Sequence, residues 1–117
     1  MKHVTIYHNP HCSKSRECLA LLKQRGVDAN VVLYLETPPS GDELHNLLKA
    51  LDFRSARDLM RKKEDLYQEL KLADTSLSEQ QLLTAMTEYP KLIERPIVVA
   101  GSKARIGRPA EQVLEIL

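Results

Sequence analysis

The chain has 117 residues, 43% of them hydrophobic and 28% charged, with a net charge of +1. This length suits one domain with its own core, and the charge gives no reason to expect nucleic acid or a membrane surface as partner. No apolar run approaches the roughly 20 residues that span a bilayer. The first residues enter a strand without a signal-peptide pattern, so we expect a cytoplasmic protein.

The chain begins with a predicted strand, a loop that carries a cysteine, and a predicted helix. Residues 4–7 are β-branched or aromatic, as in strands, and residues 17–25 predict a helix that Gly26 ends. Cys12 lies in the loop between them. Unpaired N–H groups and the positive end of the helix dipole favour its thiolate, the nucleophilic form, and can also hold an oxyanion. The sequence therefore predicts an activated sulfur beside an anion site.

A second strand and a helical stretch follow. Residues 31–35 are nearly continuous in apolar side chains, which predicts a buried strand. Ser40 starts a helix with the capping-box spacing to Glu43. Ser55 and Ser78 are predicted to cap short helices farther along the chain.

Two strands and a final helix complete the prediction, over residues 97–100, 103–106 and 109–117. The order βαβ, helices, ββα indicates a single α/β domain over residues 1–117, with a helical insertion at about 40–90. This order brings the loop before residue 97 to the carboxyl end of the first strand. Ligands bind at that edge of α/β sheets.

Separated motifs along the whole chain match one family in the right order; they are residues 8–16, 32–40, 59–62, 95–99 and 107–114. The first of them reads His8-Asn9-Pro10-x-Cys12-x-x-Ser15-Arg16. These motifs resemble the ArsC family of glutaredoxin-coupled arsenate reductases, and most closely its short YfgD-like subgroup. The resemblance implies a thioredoxin-like fold with a central mixed sheet.

The resemblance also implies a mechanism and its residues. Cys12 would attack arsenate to form a thiol–arsenate adduct, glutathione would reduce the adduct as co-substrate, and glutaredoxin would regenerate the thiolate with release of arsenite. His8 and Ser15 match residues that help to activate the cysteine. Three arginines surround the oxyanion in family members, and the matching positions here are Arg61, Arg95 and Arg108. No tightly bound cofactor or metal is expected.

Two details of the family pattern bear on the substrate. Arg95-Pro96 resembles the thioredoxin-fold position of a cis proline that faces the active-site cysteine. Ser13-Lys14 stands where the better-known arsenate reductases resemble Gly-Thr. We therefore expect arsenate or a related oxyanion as substrate.

The cysteines and histidines also permit other interpretations. His8, His11 and Cys12 could suggest zinc, but the spacing lacks the paired clusters of structural sites. Cys18 lies six positions after Cys12, about 9 Å along an ideal helix, which is too far for a disulfide without unwinding. We expect Cys18 to pack in the core beside Leu22.

Two other functions remain open at this point. The chain could be a thiol redox protein that uses Cys12 without arsenate activity. It could also be a regulatory module like the Spx-type regulators, which bind RNA polymerase and switch through a Cys-x-x-Cys pair. Ser15 occupies the place of the second cysteine of that pair, which argues against such a switch.

Overall fold

The computed structural model describes residues 3–117. Within this range the strands are β1 (Val4–Tyr7), β2 (Asn30–Val32), β3 (Ile97–Ala100) and β4 (Lys103–Ile106). The α-helices are α1 (Ser13–Gln24), α2 (Gly41–Leu51), α3 (Asp65–Glu69) and α4 (Glu79–Glu88), and 3₁₀ helices cover Ala56–Leu59, Pro90–Leu92 and Ala110–Ile116. The chain divides into two compact units, residues 3–37 with 95–117, and residues 38–94. One domain over the whole chain stays a prediction.

The first unit is built on a mixed sheet. The described strands lie in the order β2-β1-β3-β4, with β1 parallel to β2 and antiparallel to β3. Tyr7 pairs with Ile97, so β3 begins beside the carboxyl end of β1, as the element order predicts. Helix α1 packs on this sheet through Cys18 and Leu22, which are fully buried with Val98 of β3.

Helix α1 begins earlier than the sequence analysis predicts. It starts at Ser13 rather than Glu17, and Cys12 is its N-cap. The first turn buries the hydroxyl of Ser15 in place of an apolar side chain. Apolar periodicity therefore becomes visible only from Cys18 onward, which explains the wrong boundary.

The predicted buried strand over residues 31–35 is wrong. Strand β2 covers only Asn30–Val32 and pairs with β1 alone, so it lies at the edge of the sheet. Val31 is 41% exposed there. The chain then turns, because the N–H groups of Glu36 and Thr37 both donate to the Leu33 carbonyl. Periodicity cannot separate an edge strand that leads into a turn from a short buried strand.

The second unit is helical, and three of its helices begin at the predicted serine caps. The Ser40 hydroxyl accepts a hydrogen bond from the Glu43 N–H at the start of α2. Ser55 and Ser78 each cap a helix in a complete capping box.

The final helix, in the first unit, differs from the prediction, since Ala110–Ile116 is 3₁₀ with Pro109 as its N-cap. Among residues 3–117, no helix has the length and apolar character to cross a membrane.

Candidate active site

Asn9 shapes the loop that delivers Cys12 to the start of α1. Its carbonyl accepts from the Cys12 N–H at 3.0 Å, and its side-chain Oδ1 accepts from the His11 N–H at 3.0 Å. The Arg16 guanidinium donates to the Pro10 carbonyl at 2.9 Å and holds the loop from the other side. These roles of Asn9 and Arg16 were not predicted from the sequence. The turn-forming Asn-Pro pair was the available signal.

The environment of the Cys12 sulfur favours the thiolate. Burial by itself raises the pKa of this thiol, but four groups outweigh it, and the pKa lies below the ordinary cysteine value. They are the N–H of Ser15, the charge of Arg95, the N–H of Lys14 and the charge of Arg108. Two of these groups are N–H groups of the first helical turn, which have no acceptor within the helix. They are the donors expected for a cysteine at a helix N-terminus.

Arg95 and Arg108 lie together beside the sulfur. Nη2 of Arg108 is 3.6 Å from Sγ of Cys12, and its Nε donates to the Arg95 carbonyl at 2.7 Å. Nε and Nη1 of Arg95 are buried and form no hydrogen bond with any atom of residues 3–117. Buried guanidinium donors without a partner are costly, and an anion is the ligand that satisfies them. The peptide bonds Arg95-Pro96 and Arg108-Pro109 are both cis, the first as the resemblance implies.

His8 reaches the site through Ser15. Nδ1 of His8 and Oγ of Ser15 are hydrogen-bonded at 2.7 Å, and Oγ also accepts from the Asn9 N–H at 3.0 Å. Burial first, then the charges of Arg16 and Lys23, hold the pKa of His8 below its usual value, so the ring is neutral near pH 7. His8 therefore acts here as a hydrogen-bonding group that holds the first turn of α1.

We expect Ser15→Ala to raise the pKa of Cys12. The substitution removes the hydroxyl that joins Asn9 to His8 and leaves the buried His8 Nδ1 and the partly buried Asn9 N–H unpaired, at a cost of about 1–3 kcal/mol. The donors of the first turn then lose their fixed orientation toward the sulfur. The measurement is the iodoacetamide alkylation rate against pH, with the modified cysteine identified by mass spectrometry. Ser13→Ala, an exposed change in the same turn, is the control, and equal midpoints for both variants would contradict the expectation.

Arg61 lies in the helical unit, where two carboxylates bind it. Its Nη1 donates to Glu64 Oε2 at 3.0 Å, and its Nε is 3.9 Å from Glu94 Oε1. Its side chain is about one-quarter exposed, at 26%. Substrate binding by Arg61 stays a prediction of the resemblance.

Cys18 is fully buried on α1, as expected for a core residue. Burial raises the pKa of its thiol to about 11, so it stays protonated at neutral pH. His8, His11 and Cys12 do not form a metal cluster: within residues 3–117 there is no group of three or more histidine, cysteine or acidic side chains placed to hold a metal ion.

Comparisons with known proteins extend over the whole chain. The model of the ArsC family matches residues 7–116. The chain is 67% identical to the protein YfgD of Escherichia coli K12, over 99% of its own length and 98% of that protein. It is 52% identical to an arsenate reductase of Haemophilus influenzae, with 97% and 98% covered. The structure of an arsenate reductase from Vibrio cholerae superposes with a TM-score of 0.97 at 58% identity, with 99% and 98% covered.

Proposed function

The chain belongs to the ArsC family and has the thioredoxin-like fold, and from this premise we propose that it reduces arsenate with Cys12 as nucleophile. One observation carries the proposal: the Cys12 sulfur lies 3.6 Å from Arg108, beside the buried and unpaired donors of Arg95. Simple thiol exchange does not require buried guanidinium groups. An oxyanion that must meet a thiolate does, because the two negative species repel each other.

In the first step the Cys12 thiol and arsenate give a thiol–arsenate adduct and one water. A sulfur–arsenic bond replaces one arsenic–oxygen bond, and arsenic stays pentavalent. Arg95 and Arg108 neutralise the oxygens of arsenate and orient them, while the N–H groups of Ser15 and Lys14 keep the sulfur as a thiolate.

The second step supplies the reducing electrons. Arsenic gains two electrons from two thiols, so that one arsenate and two thiols give one arsenite, one disulfide and one water. Cys18 does not provide the second thiol, because it is fully buried and its pKa is raised to about 11. Glutathione takes that role, and glutaredoxin cleaves the resulting mixed disulfide on Cys12. The electrons thus come from thiols without a resident cofactor, in the cytoplasm, where thiols are kept reduced.

A coupled assay tests the proposal on the unaltered protein. The mixture contains arsenate, glutathione, glutaredoxin, glutathione reductase and NADPH, and NADPH oxidation is followed optically. We expect oxidation that depends on the protein, on arsenate and on glutaredoxin, with arsenite formed in equal amount. Protein-dependent NADPH oxidation that requires an added disulfide and does not respond to arsenate would favour a general thiol redox protein. No arsenite at saturating arsenate would overturn the proposal.

A further inference from the structure

Cys18 lies in direct contact with the chain segment that carries Arg108. A Cβ atom placed on Gly107 would lie 2.7 Å from Sγ of Cys18 and 2.9 Å from Cγ of Pro96. Both distances are shorter than real Cβ atoms tolerate. Among the described residues, positive φ angles of glycine occur only at Gly26 and Gly101, so space and not backbone conformation requires glycine at position 107.

Gly107, which packs against Cys18, and Pro96, which packs against Gly107, are the chain neighbours of the two arginines at the site. Pro96 follows Arg95, and Gly107 precedes Arg108. The Gly107 N–H donates to the Pro96 carbonyl at 2.9 Å, and the Arg108 side chain donates to the Arg95 carbonyl at 2.7 Å. These two hydrogen bonds join the segments, so a displacement of one moves the other.

Helix α1 carries both Cys12 and Cys18, the residue against which Gly107 packs. Cys12 caps its N-terminus, and Cys18 is on its buried face. We propose that Cys18 is a positioning residue: through its contact with Gly107 it sets how closely the two arginines approach the Cys12 sulfur. Protein interiors are closely packed, so a buried contact transmits a change of one atom to its neighbours. The inference rests on the proposed function only where turnover is measured.

Variants that remove or add a single heavy atom test the contact between Cys18 and Gly107. Cys18→Ala removes the sulfur, Gly107→Ala adds a methyl group toward the same space, and the double variant does both. We expect each single change to raise the KM for arsenate on the order of tenfold, with a smaller effect on kcat. Each should also move the pH midpoint of Cys12 alkylation upward. The double variant should recover part of both losses, because its new methyl group occupies the space of the removed sulfur.

Matched variants separate positioning from general loss of packing and from redox chemistry. Leu22→Val loosens the same face of α1 one turn farther on, and Gly41→Ala adds a methyl group in ordinary contact, 3.9 Å from Nε2 of Gln80. Both should leave the KM and the midpoint unchanged. Cys18→Ser keeps a side chain of similar shape, so its KM and alkylation midpoint should stay near the original values. The comparison of Cys18→Ser with Cys18→Ala then tests the contact even if Gly107→Ala fails to fold.

Specific results would overturn the inference. Additive losses in the double variant, or losses of equal size in Cys18→Ser and Cys18→Ala, would show that the contact does not position the arginines. An equal loss of arsenate turnover in Cys18→Ala, Cys18→Ser and the double variant, which all lack the thiol, would assign Cys18 a redox role. The alkylation midpoint is measured without arsenate, so it decides the inference even if the protein does not reduce arsenate.

Discussion

Cys12→Ser lowers arsenate-dependent NADPH oxidation by about 10³-fold or more. Two N–H groups and two arginines lower the pKa of the cysteine thiol, but a serine hydroxyl ionises far too weakly to become the nucleophile under the same influence. Serine is also a favourable N-cap residue, so α1 is not weakened at its start. The loss therefore reports chemistry and not folding, and thermal unfolding of the variant checks this.

The coupling enzymes provide the control for this experiment. Glutathione disulfide added to the same mixture should restore NADPH oxidation at once, which shows that only the arsenate step is missing. Ser13→Ala, at the exposed neighbouring position, should retain turnover. Arsenate-dependent oxidation by Cys12→Ser at a rate near that of the original protein would exclude Cys12 as nucleophile.

The pH dependence of the reaction follows from the same environment. The reactive thiolate is lost as pH falls through the pKa of Cys12, and that pKa lies below the ordinary value of the thiol. Alkylation should therefore reach half its maximal rate at a lower pH than it does in a free cysteine peptide. Cys18, with its pKa raised to about 11, does not contribute to this profile near neutrality.

Arg108→Ala produces the second large effect, a fall in kcat/KM for arsenate of about 10²–10³-fold. The variant loses the guanidinium 3.6 Å from the sulfur and also the donor to the Arg95 carbonyl. We expect a higher KM, a lower kcat and a higher pKa of Cys12. Arg108→Lys keeps the charge but not the planar pair of donors, so it should recover the pKa better than the KM.

Arg95→Ala should weaken arsenate binding for a related reason, because it removes the buried donors that no residue in 3–117 satisfies. Arg25→Ala is the matched control in the same unit, since it removes one exposed arginine at the opposite end of α1, about 20 Å from Cys12. Lys63→Ala removes an exposed charge from the helical unit. If either control equals Arg95→Ala, the loss reflects net charge and the arginine site is wrong.

Several elements of the fold could be predicted because their signals are local. The bounds of β1, β3 and β4 follow from β-branched runs between turn residues, and the caps at Ser55 and Ser78 follow from side chains that bond within their own turn. The start of α1 and the extent of β2 could not be predicted this way. Both depend on tertiary burial. The first turn of α1 buries the hydroxyl of Ser15 instead of an apolar side chain, and β2 lies at an open edge of the sheet.

The sequence by itself placed Cys12 beside the N–H donors at the start of a helix and so predicted it as the nucleophile, because the cysteine and these donors are neighbours in the chain. Only the tertiary structure decided that Arg108, 96 positions away, lies against this sulfur and that Arg95 keeps buried donors unpaired. It also decided that Cys18, unremarkable as a core residue, touches Gly107. The physical reason is the sheet: the element order predicts only that β3 begins near the carboxyl end of β1, whereas the pairing of Tyr7 with Ile97 fixes which distant side chains meet there.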